Sequence, residues 1–381
     1  MLEATKSVAG RSLGAEAPVD LAEALAAKLV GQPAAIDAIV PYVRMYQANL
    51  APEGRPVGVF LLLGPTGTGK TRTVECLAEV LHGSQKKLLK VDCGEFQMEH
   101  EVARLIGAPP GYLGHRETQP MITQQKLNAA TSERCGLALV LFDEIEKAAS
   151  SLGRLLLGVL DKALLHLGDN TVVNFENSLI FLTSNLGARE MMREIRPEFG
   201  FGGASGQEPD KLARKLERIG MTAVRKRFSP EFVNRIDAVI TYRPLDGRAL
   251  ASILDQQLEE FQDHVCQRLG RDAFAIDVSV ESRRYLLREG TSAEYGAREL
   301  KRTLHREVIQ PMAAMVAAGM IQPGSTVRVS YSEASDSLKI ASASAPAGRC
   351  GEGGPQPAPG LGRRGRRLDR REESETWRLT A

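Results

Sequence analysis

The residues with the clearest chemical potential are Gly64-Pro65-Thr66-Gly67-Thr68-Gly69-Lys70-Thr71, which match the pattern G-x-x-x-x-G-K-[ST]. They follow the apolar run 59–63, which is typical of a buried strand. In such a loop the backbone N–H groups point at phosphates, the lysine reaches phosphate oxygens and the threonine hydroxyl holds Mg²⁺. A helix that begins near Lys70 adds a partial positive charge. The segment predicts a site for ATP, or another nucleoside triphosphate, with Mg²⁺.

Two carboxylates end a second apolar run, at 137–142. In a parallel sheet Asp143 would lie beside the glycine-rich loop, where it can hold Mg²⁺ through water. Glu144 would point toward the γ-phosphate and activate the attacking water as a general base. Read in isolation, the same pair is also compatible with a solvated acidic strand end.

Apolar strands alternate with amphipathic helices from Gly58 onward, which indicates an α/β fold with a mainly parallel sheet flanked by helices. Such sheets bind ligands at the carboxyl ends of their strands, where the loop at 64–71 lies. The predicted strands are 59–63, 88–92, 137–142 and 178–183, and the predicted helices are 21–30, 33–49, 70–82, 97–106 and 151–162.

Four segments are expected along the chain. Residues 1–19 form a flexible lead-in, and 20–245 form a large domain. A smaller, mostly helical lid domain at 246–341 ends in a β-hairpin of strands 326–331 and 337–340. Residues 342–381 are rich in Arg, Gly and Pro, and we expect them to be disordered because they have little apolar surface to offset the entropy of ordering.

Composition and charge exclude several classes of protein. The net charge is +2, and eight arginines against five acidic residues lie after Ala341, so the folded part is nearly neutral and nucleic-acid binding is not expected. No apolar stretch is long enough to span a membrane, and the N-terminus has no signal pattern. The five cysteines are scattered without a C-x-x-C pair, which indicates a reducing compartment. We therefore expect a cytoplasmic protein.

The segment Asp143-Glu144-Ile145-Glu146-Lys147-Ala148 resembles the one that closes this strand in the Clp family of AAA+ ATPases. The resemblance is to the second, C-terminal ATPase module of the ClpA, ClpB and ClpC protein unfoldases, and it covers about residues 20–340. It implies the AAA+ P-loop NTPase fold with its lid domain, hydrolysis of ATP to ADP and phosphate with Mg²⁺, and a homo-oligomer that is expected to be a hexamer.

Three further motifs carry site residues by resemblance. Val30-Gly31-Gln32-Pro33-Ala34-Ala35-Ile36 is similar to the family's adenine-pocket segment, although it also reads as a simple helix break. Asn185, after the apolar run 180–182, matches the residue that orients the attacking water, whereas an asparagine there is otherwise a turn former. Arg298 matches the second sensor, which touches the γ-phosphate from the lid. The alternative is that Arg298 is only an exposed arginine at the start of a helix.

Arg235 lies in Phe228-Ser229-Pro230-Glu231-Phe232-Val233-Asn234-Arg235-Ile236-Asp237, which resembles the family's arginine-finger stretch. The resemblance implies that Arg235 enters the neighbouring subunit's site and stabilises charge on the transferred phosphoryl group. A lone arginine can also be a surface salt-bridge partner. If the finger interpretation is correct, a monomer is nearly inactive.

The stretch Ile106-Gly107-Ala108-Pro109-Pro110-Gly111-Tyr112-Leu113-Gly114 predicts a protruding loop, because two prolines and three glycines surround one aromatic residue. In the Clp family the matching loop lines the central pore of a hexamer. Tyr112, between Gly111 and Leu113, would then grip substrate polypeptide through sequence-tolerant apolar contact. Packing of Tyr112 on its own core is the alternative. The resemblance implies an unfoldase that threads unfolded or tagged proteins.

Partner predictions are more open. Phe199-Gly200-Phe201 lies where ClpA-like and ClpC-like proteins dock into a ClpP-like peptidase, and it fits equally well as a loop packed on its own domain. Thr171 stands near the position of an arginine in the family's second pore loop, and 114–120 lack the usual acidic, glycine-rich continuation. The first ATPase module, the N-terminal substrate domain and the coiled-coil insertion are missing from this sequence, which weakens a full disaggregase interpretation. A second hypothesis is an ATP-dependent assembly or regulatory scaffold that does not thread substrate.

Overall fold

The computed structural model describes residues 20–107, 120–195, 209–292 and 296–343. The strands in these ranges are β1 Gly58–Leu63, β2 Leu89–Asp92, β3 Ala138–Asp143, β4 Leu164–His166, β5 Val172–Asn174, β6 Ser178–Ser184, β7 Ala238–Thr241, β8 Ala275–Val278, β9 Thr326–Ser332 and β10 Ser337–Ala343.

Helices occupy most of the remaining described chain. They are α1 Leu21–Lys28, α2 Pro33–Gln47, α3 Lys70–His82, α4 Val102–Ile106, α5 Gln124–Ala129, α6 Ser150–Lys162, α7 Ala188–Ile195, α8 Pro209–Arg227, α9 Pro230–Val233, α10 Gly247–Leu269, α11 Val280–Gly290, α12 Ala297–Leu304 and α13 Gln310–Ala317. A π-helical segment, His305–Ile309, joins α12 to α13. None of these described helices combines the length and the hydropathy that a membrane span requires.

Five strands form one parallel sheet in the order β2-β3-β6-β1-β7. Strands β1 and β6 are buried along their whole length, and so is β3 up to Asp143. On one face of β1, Val59, Leu61 and Leu63 pack in a core with α6. On the other face, Phe60 and Leu62 pack with α1, α2 and α3. The predicted parallel sheet flanked by helices is confirmed.

The lid has its own core, built from α10 to α13 and a sheet in the order β10-β9-β8. The predicted hairpin is present as β9 and β10, but β10 continues through Ala343, past the expected start of the tail at 342. β10 is longer than predicted because its antiparallel pairing with β9 continues to Ser342 opposite Val327 and Ala343 opposite Thr326. The expectations for 1–19 and for 344–381 lie outside the described residues.

Several elements differ from the sequence-based expectation. The predicted helix 97–106 is a 3₁₀ turn at Glu99–Glu101 followed by the short α4. In the lid, which was expected to be mostly helical, α11 ends at Gly290 and α12 begins only after Gly296, which adopts a positive φ of 50°. The segment around Thr171 forms an antiparallel hairpin of β4 and β5. Strands β7 and β8 and helices α5 and α7 to α9 have no counterpart in the prediction.

Candidate nucleotide site

The glycine-rich loop connects the carboxyl end of β1 to the first residue of α3, as predicted. Gly64 has a φ of 147°, and a Cβ there would come within 2.7 Å of the Tyr242 carbonyl oxygen, so only glycine fits. Lys70 is buried, and its Nζ donates to the carbonyl oxygens of Gly64 and Pro65 at 2.7 and 2.8 Å. Burial lowers the pKa of Lys70 to about 8, and the nearby charge of Glu146 opposes that shift.

Asp143 ends β3 next to the loop. The hydroxyl of Thr71 lies 3.4 and 3.5 Å from its two carboxylate oxygens, which is longer than an optimal hydrogen bond. The hydroxyl of Thr183 donates to Asp143 at 2.5 Å, and Lys90 forms an ion pair with it at 2.9 Å. Burial raises the pKa of Asp143, but the bonds from Thr183 and Lys90 outweigh burial and hold the pKa below its ordinary value. Asp143 is therefore a carboxylate at neutral pH.

These groups fit a magnesium ion bound together with a nucleotide. Among the described residues, no group of three or more His, Cys, Asp or Glu side chains is arranged to hold a metal ion. Mg²⁺ does not require such a group, because it usually keeps several waters and is bound by one or two carboxylates plus substrate phosphates. Thr71 and Asp143 supply one hydroxyl and one carboxylate at the phosphate loop.

Glu144 follows Asp143 in a left-handed backbone conformation, with φ 56° and ψ 48°. Such a conformation is uncommon for a residue with a side chain and is found at functional sites. The Glu144 N–H donates to the Thr183 hydroxyl at 2.9 Å, which holds this turn against β6. Its carboxylate pairs with Lys147 at 2.5 Å and lies 3.5 Å from the Asn185 amide nitrogen. Glu144 and Asn185, the predicted base and the predicted water-orienting residue, therefore lie side by side.

Asn185 joins the carboxylates to the phosphate loop. Its Oδ1 accepts a hydrogen bond from Lys70 Nζ at 2.9 Å, while its backbone N–H donates to Glu146 Oε1 at 3.0 Å. The guanidinium of Arg227 donates to the Glu146 carbonyl oxygen at 2.9 Å. The end of α8 is thereby tied to the segment that follows Glu144.

The lid closes the other side of the site. The N–H of Ala297 donates to the Gly67 carbonyl oxygen at 3.1 Å, so the first turn of α12 lies directly on the phosphate loop. Arg298, the predicted second sensor, lines the same cleft as Lys70 and Glu144. The cleft has a volume of about 930 Å³ and lies between the parallel sheet and the lid.

The apolar part of the cleft partly corrects the adenine-pocket prediction. Val30 lines the cleft together with Leu29, Leu245 and Ile253. Ile36 does not line it, because α2 turns this side chain into the core against α1 and α3. The neighbouring Gln32, which is buried, donates to the carbonyl oxygens of Thr68 and Arg243 at 3.1 and 2.8 Å and so holds the phosphate loop against the β7 end.

Arg235, like Ile36, does not line this cleft. It follows α9 and pairs with Asp161 of α6 at 3.2 Å, with both side chains more than a third exposed. Arg235 therefore lies outside the cleft of its own subunit. Two predicted groups lie outside the described residues, namely Gly111, Tyr112 and Leu113 of the pore loop and Phe199, Gly200 and Phe201 of the docking loop.

Two family profiles match the chain. One is described as AAA domain (Cdc48 subfamily) and matches residues 55–239, and the other is described as the C-terminal, D2-small domain of ClpB protein and matches residues 245–329. The chain belongs to the Clp family of AAA+ proteins.

Relatives of this Clp-family chain include ClpB chaperones. It is 36% identical to ClpB of Meiothermus ruber over 309 residues, which is 81% of this chain and 34% of that protein. It is 35% identical to ClpB of Mycobacterium tuberculosis over 332 residues, 87% of this chain and 35% of that protein. A solved structure of Hsp104 in a closed state with ATPγS and FITC casein matches with a TM-score of 0.69 at 27% identity, over 84% of this chain and 51% of that one.

The chain spans about a third of the length of these ClpB relatives. Because they are ClpB chaperones rather than ClpA or ClpC proteins, they give no support to a ClpP-like peptidase as a partner of this Clp-family chain.

Several site residues of this Clp-family chain escaped the sequence analysis. Lys90 and Thr183 contact Asp143 from neighbouring strands, so no local pattern predicts them. Gln32 lies within the predicted segment 30–36, but its contact with the phosphate loop was not predicted. Lys147 is different, since it follows Glu144 by three residues and that spacing is typical of a pair on one helical turn.

Replacing Gly296 by alanine is expected to weaken ATP binding about tenfold. A Cβ at Gly296 would lie 2.8 Å from the Gly67 carbonyl oxygen, so the lid must move off the phosphate loop. The matched control is Gly319→Ala, which has a similar positive φ of 67° but nothing within 4 Å of the added carbon. Both variants also lose about 1 to 3 kcal/mol of folding stability, because each places a side chain at a positive φ. Titration with a fluorescent ATP analogue checks this, and equal affinities in the two variants would contradict it.

Proposed function

We propose that the chain hydrolyses ATP in this cleft and, within a ring of identical subunits, uses the energy to unfold or remodel protein substrates. The observation that carries the proposal is the convergence of Lys70, Asp143, Glu144, Asn185 and Arg298 on one cleft between sheet and lid. Membership of the Clp family and the likeness to ClpB chaperones support it. Phosphate release from the wild-type chain tests the hydrolysis, and it is measured under conditions in which the ring assembles and under conditions in which it does not.

The phosphates of ATP fit the loop 64–71, with its backbone N–H groups and the Lys70 ammonium as donors. In the structure the Lys70 ammonium donates hydrogen bonds to the carbonyl oxygens of Gly64 and Pro65 and to the side chain of Asn185. Phosphate oxygens would take the place of these acceptors when ATP binds. Thr71 and Asp143 would hold Mg²⁺, and the bound ion would supply charge neutralisation for the phosphates. These roles require no rearrangement of the sheet.

The hydrolytic step is assigned to Glu144 and Asn185. Glu144 takes a proton from the attacking water, and Asn185, whose amide lies 3.5 Å from that carboxylate, orients the water. Lys147 pairs with Glu144 in the structure, so this contact must loosen before the base can accept a proton. Arg298 stabilises the γ-phosphate from the lid and links the state of the nucleotide to lid rotation.

Arg235 is proposed to act in a neighbouring subunit. It is partly exposed, held by a single ion pair with Asp161, and it lies outside the cleft of its own chain. A surface ion pair of this kind is worth at most about 1 kcal/mol, so it is readily exchanged for a phosphate contact. A ring, expected to be a hexamer, brings each Arg235 to the next cleft. In the alternative role, as a structural salt bridge within its own subunit, Arg235 would contribute little to folding stability.

The domain border, the cellular location and the partners complete the proposal. We place the border between the large domain and the lid at 245/246, which the two matched family segments support. The five cysteines are scattered along the sequence without a C-x-x-C pair, which supports a reducing, cytoplasmic location. A ClpP-like peptidase is not included among the partners.

Tyr112 is proposed as the residue that grips substrate polypeptide in the ring. Tyr112→Ala is expected to leave ATP turnover within about twofold of wild type and to reduce unfolding of a tagged fluorescent protein below about a tenth, since apolar contact with the substrate is lost. The assay follows loss of fluorescence beside phosphate release. Tyr331→Ala, a lid variant that also removes a tyrosine, is the control and should unfold the substrate normally. If Tyr112→Ala still unfolded the substrate, Tyr112 would not be the gripping residue. If the wild-type chain hydrolysed ATP without unfolding the substrate, the assembly or regulatory scaffold would be favoured.

A further inference from the structure

Arg227, the last residue of α8, connects two segments that the proposed reaction uses. Its Nη2 donates to the carbonyl oxygens of Glu146 and Ala148 at 2.9 and 2.8 Å, and its Nε donates to the same Glu146 oxygen at 3.1 Å. The guanidinium offers several N–H donors in one rigid plane, so one side chain can hold two carbonyl oxygens at once. These bonds fix the turn that follows Glu144 against the end of α8.

The turn held by Arg227 reaches the nucleotide cleft through Glu146. One carboxylate oxygen of Glu146 accepts a hydrogen bond from the Asn185 backbone N–H at 3.0 Å. The Asn185 side chain accepts in turn from Lys70 Nζ at 2.9 Å, and its amide nitrogen lies 3.5 Å from the Glu144 carboxylate. A displacement of this turn would therefore move Asn185 and the proposed base together.

On its other side, Arg227 adjoins the segment that carries Arg235. The guanidinium lies 5.8 Å from the centre of the Phe228 ring, which stacks on the Phe232 ring with centroids 4.9 Å apart. Phe232 is buried, and its carbonyl oxygen accepts a hydrogen bond from the Arg235 backbone N–H at 3.2 Å. The backbone from which the proposed finger projects is therefore built on residues next to Arg227.

Packing between these two segments is incomplete. A pocket of about 180 Å³ lies between them, lined by Ile145 and Ala148 on the side of the base and by Phe228 and Phe232 on the side of the finger. Arg227 lines this pocket too. Protein interiors are otherwise close-packed, so a space of this size means that apolar contact alone does not fix one side against the other. The hydrogen bonds of Arg227 cross from one side to the other.

We propose that Arg227 is a positioning residue that sets both the turn of Glu144 in its own site and the backbone of Arg235, which serves the neighbouring site. The inference rests on the proposed roles of Glu144 and Arg235. Reacting groups must be placed closely, and a displacement of about 1 Å can cost about a hundredfold in rate. Because one side chain holds both segments, a displacement of the turn in one cleft is transmitted to the arginine offered to the next.

Arg227→Met is the test variant, because it keeps an apolar stem and removes the guanidinium. It should lower kcat for ATP about tenfold or more and leave KM within about twofold, since the phosphate loop that holds the nucleotide is unchanged. The control is Arg225→Met, which removes the same charge from an exposed position two residues earlier on α8 and should keep the wild-type kcat. Thermal unfolding and size measurement with ATP accompany both variants.

Mixed rings separate the two segments. The reference mixture combines Glu144→Gln subunits, which keep Arg235, with Arg235→Ala subunits, which keep the base, so a complete site forms only where the two kinds meet. Adding Arg227→Met to the Glu144→Gln subunits tests the finger alone, and adding it to the Arg235→Ala subunits tests the base alone. Each addition should lower turnover about tenfold relative to the reference mixture, whereas Arg225→Met should lower it in neither case.

A loss in only one of the two mixtures would restrict Arg227 to that segment, and no loss in either would make it a structural residue. Both results overturn the proposal, and so does an equal loss from Arg225→Met. A reference mixture that stays inactive contradicts the proposed action of Arg235 in a neighbour, so that failure is distinct, and the role of Arg227 falls with it. If Arg227→Met does not fold, Arg227→Lys, which keeps the charge but not the planar donor, should give a smaller loss in both mixtures.

Discussion

Arg235→Ala is expected to reduce ATP turnover about a thousandfold or more in the assembled protein, because arginine fingers contribute about 10³ to 10⁵ to phosphoryl-transfer rates. The folded subunit should be unchanged. The Arg235 side chain forms an ion pair with Asp161 in which both partners are more than a third exposed, and such pairs contribute at most about 1 kcal/mol to stability. A large loss of activity at nearly constant stability is the signature of a residue that acts in catalysis rather than in folding.

The matched control is Arg328→Ala. Arg328 pairs with Asp277 on the lid surface at 3.2 Å, the same nitrogen-to-oxygen distance that joins Arg235 to Asp161. This variant removes an equally modest surface interaction and should keep wild-type turnover. Thermal unfolding and size measurement with ATP accompany the phosphate-release assay for both variants. Similar losses in the two variants would make Arg235 a structural residue.

Mixing Arg235→Ala with Glu144→Gln subunits tests whether the arginine acts in its neighbour. Each Arg235→Ala subunit keeps its Glu144, and a Glu144→Gln neighbour supplies an intact Arg235. Random mixing in equal amounts creates complete sites at about a quarter of the interfaces, so turnover should rise far above that of either variant alone. If mixed rings form and turnover does not rise, both residues serve the same subunit.

The large domain was accessible to sequence reasoning because its central strands are buried on both faces. Strands β1, β3 and β6 appear as unbroken apolar runs, and polar groups at their ends mark where the chain reaches the ligand. Since parallel strands end at the same edge of a sheet, Asp143 was predicted to lie beside the phosphate loop, and its carboxylate lies 3.4 Å from the Thr71 hydroxyl. The place of Asn185 was implied by the family resemblance, and its side chain accepts a hydrogen bond from Lys70.

Short edge strands escaped prediction for the opposite reason. Only Ile240 of β7 and Val278 of β8 are buried, and β4 and β5 bury one residue each. A single buried position gives no period that distinguishes a strand from a loop. The pairing of β7 with β1, for example, makes residues 238–241 a strand, and such long-range pairing cannot be read from a local window.

The same limit explains what was missed in the site. The phosphate loop and the two carboxylates form contiguous motifs whose residue types and spacing indicate their chemistry, whereas the role of the lid arginine was implied by the family resemblance. Ile253 and Leu245 reach the cleft only because the lid folds over the sheet, and Ile36 misses it because α2 turns it into the core. Motifs thus predict the phosphate end of the site, and tertiary packing decides the base end.

Glu144→Gln is expected to lower ATP turnover about 10²- to 10⁴-fold while leaving ATP binding and ring assembly intact. The amide keeps the size of the side chain but cannot accept a proton from water. The backbone of Glu144 is held in its left-handed conformation by its N–H bond to Thr183, which the substitution does not touch. Binding by fluorescent ATP titration and turnover by phosphate release separate the two effects.

The strained position of Glu144 makes this test specific. A left-handed residue that carries a side chain is costly, and proteins retain such strain where the geometry serves the site. Glu75→Gln is the control, because Glu75 lines the same cleft from α3 and its substitution removes the same charge. It should turn over ATP within about twofold of wild type, since it takes no proton from water. If Glu144→Gln hydrolysed ATP as fast as Glu75→Gln, the base would have to be another group. The strain at Glu144 would then serve the fold alone.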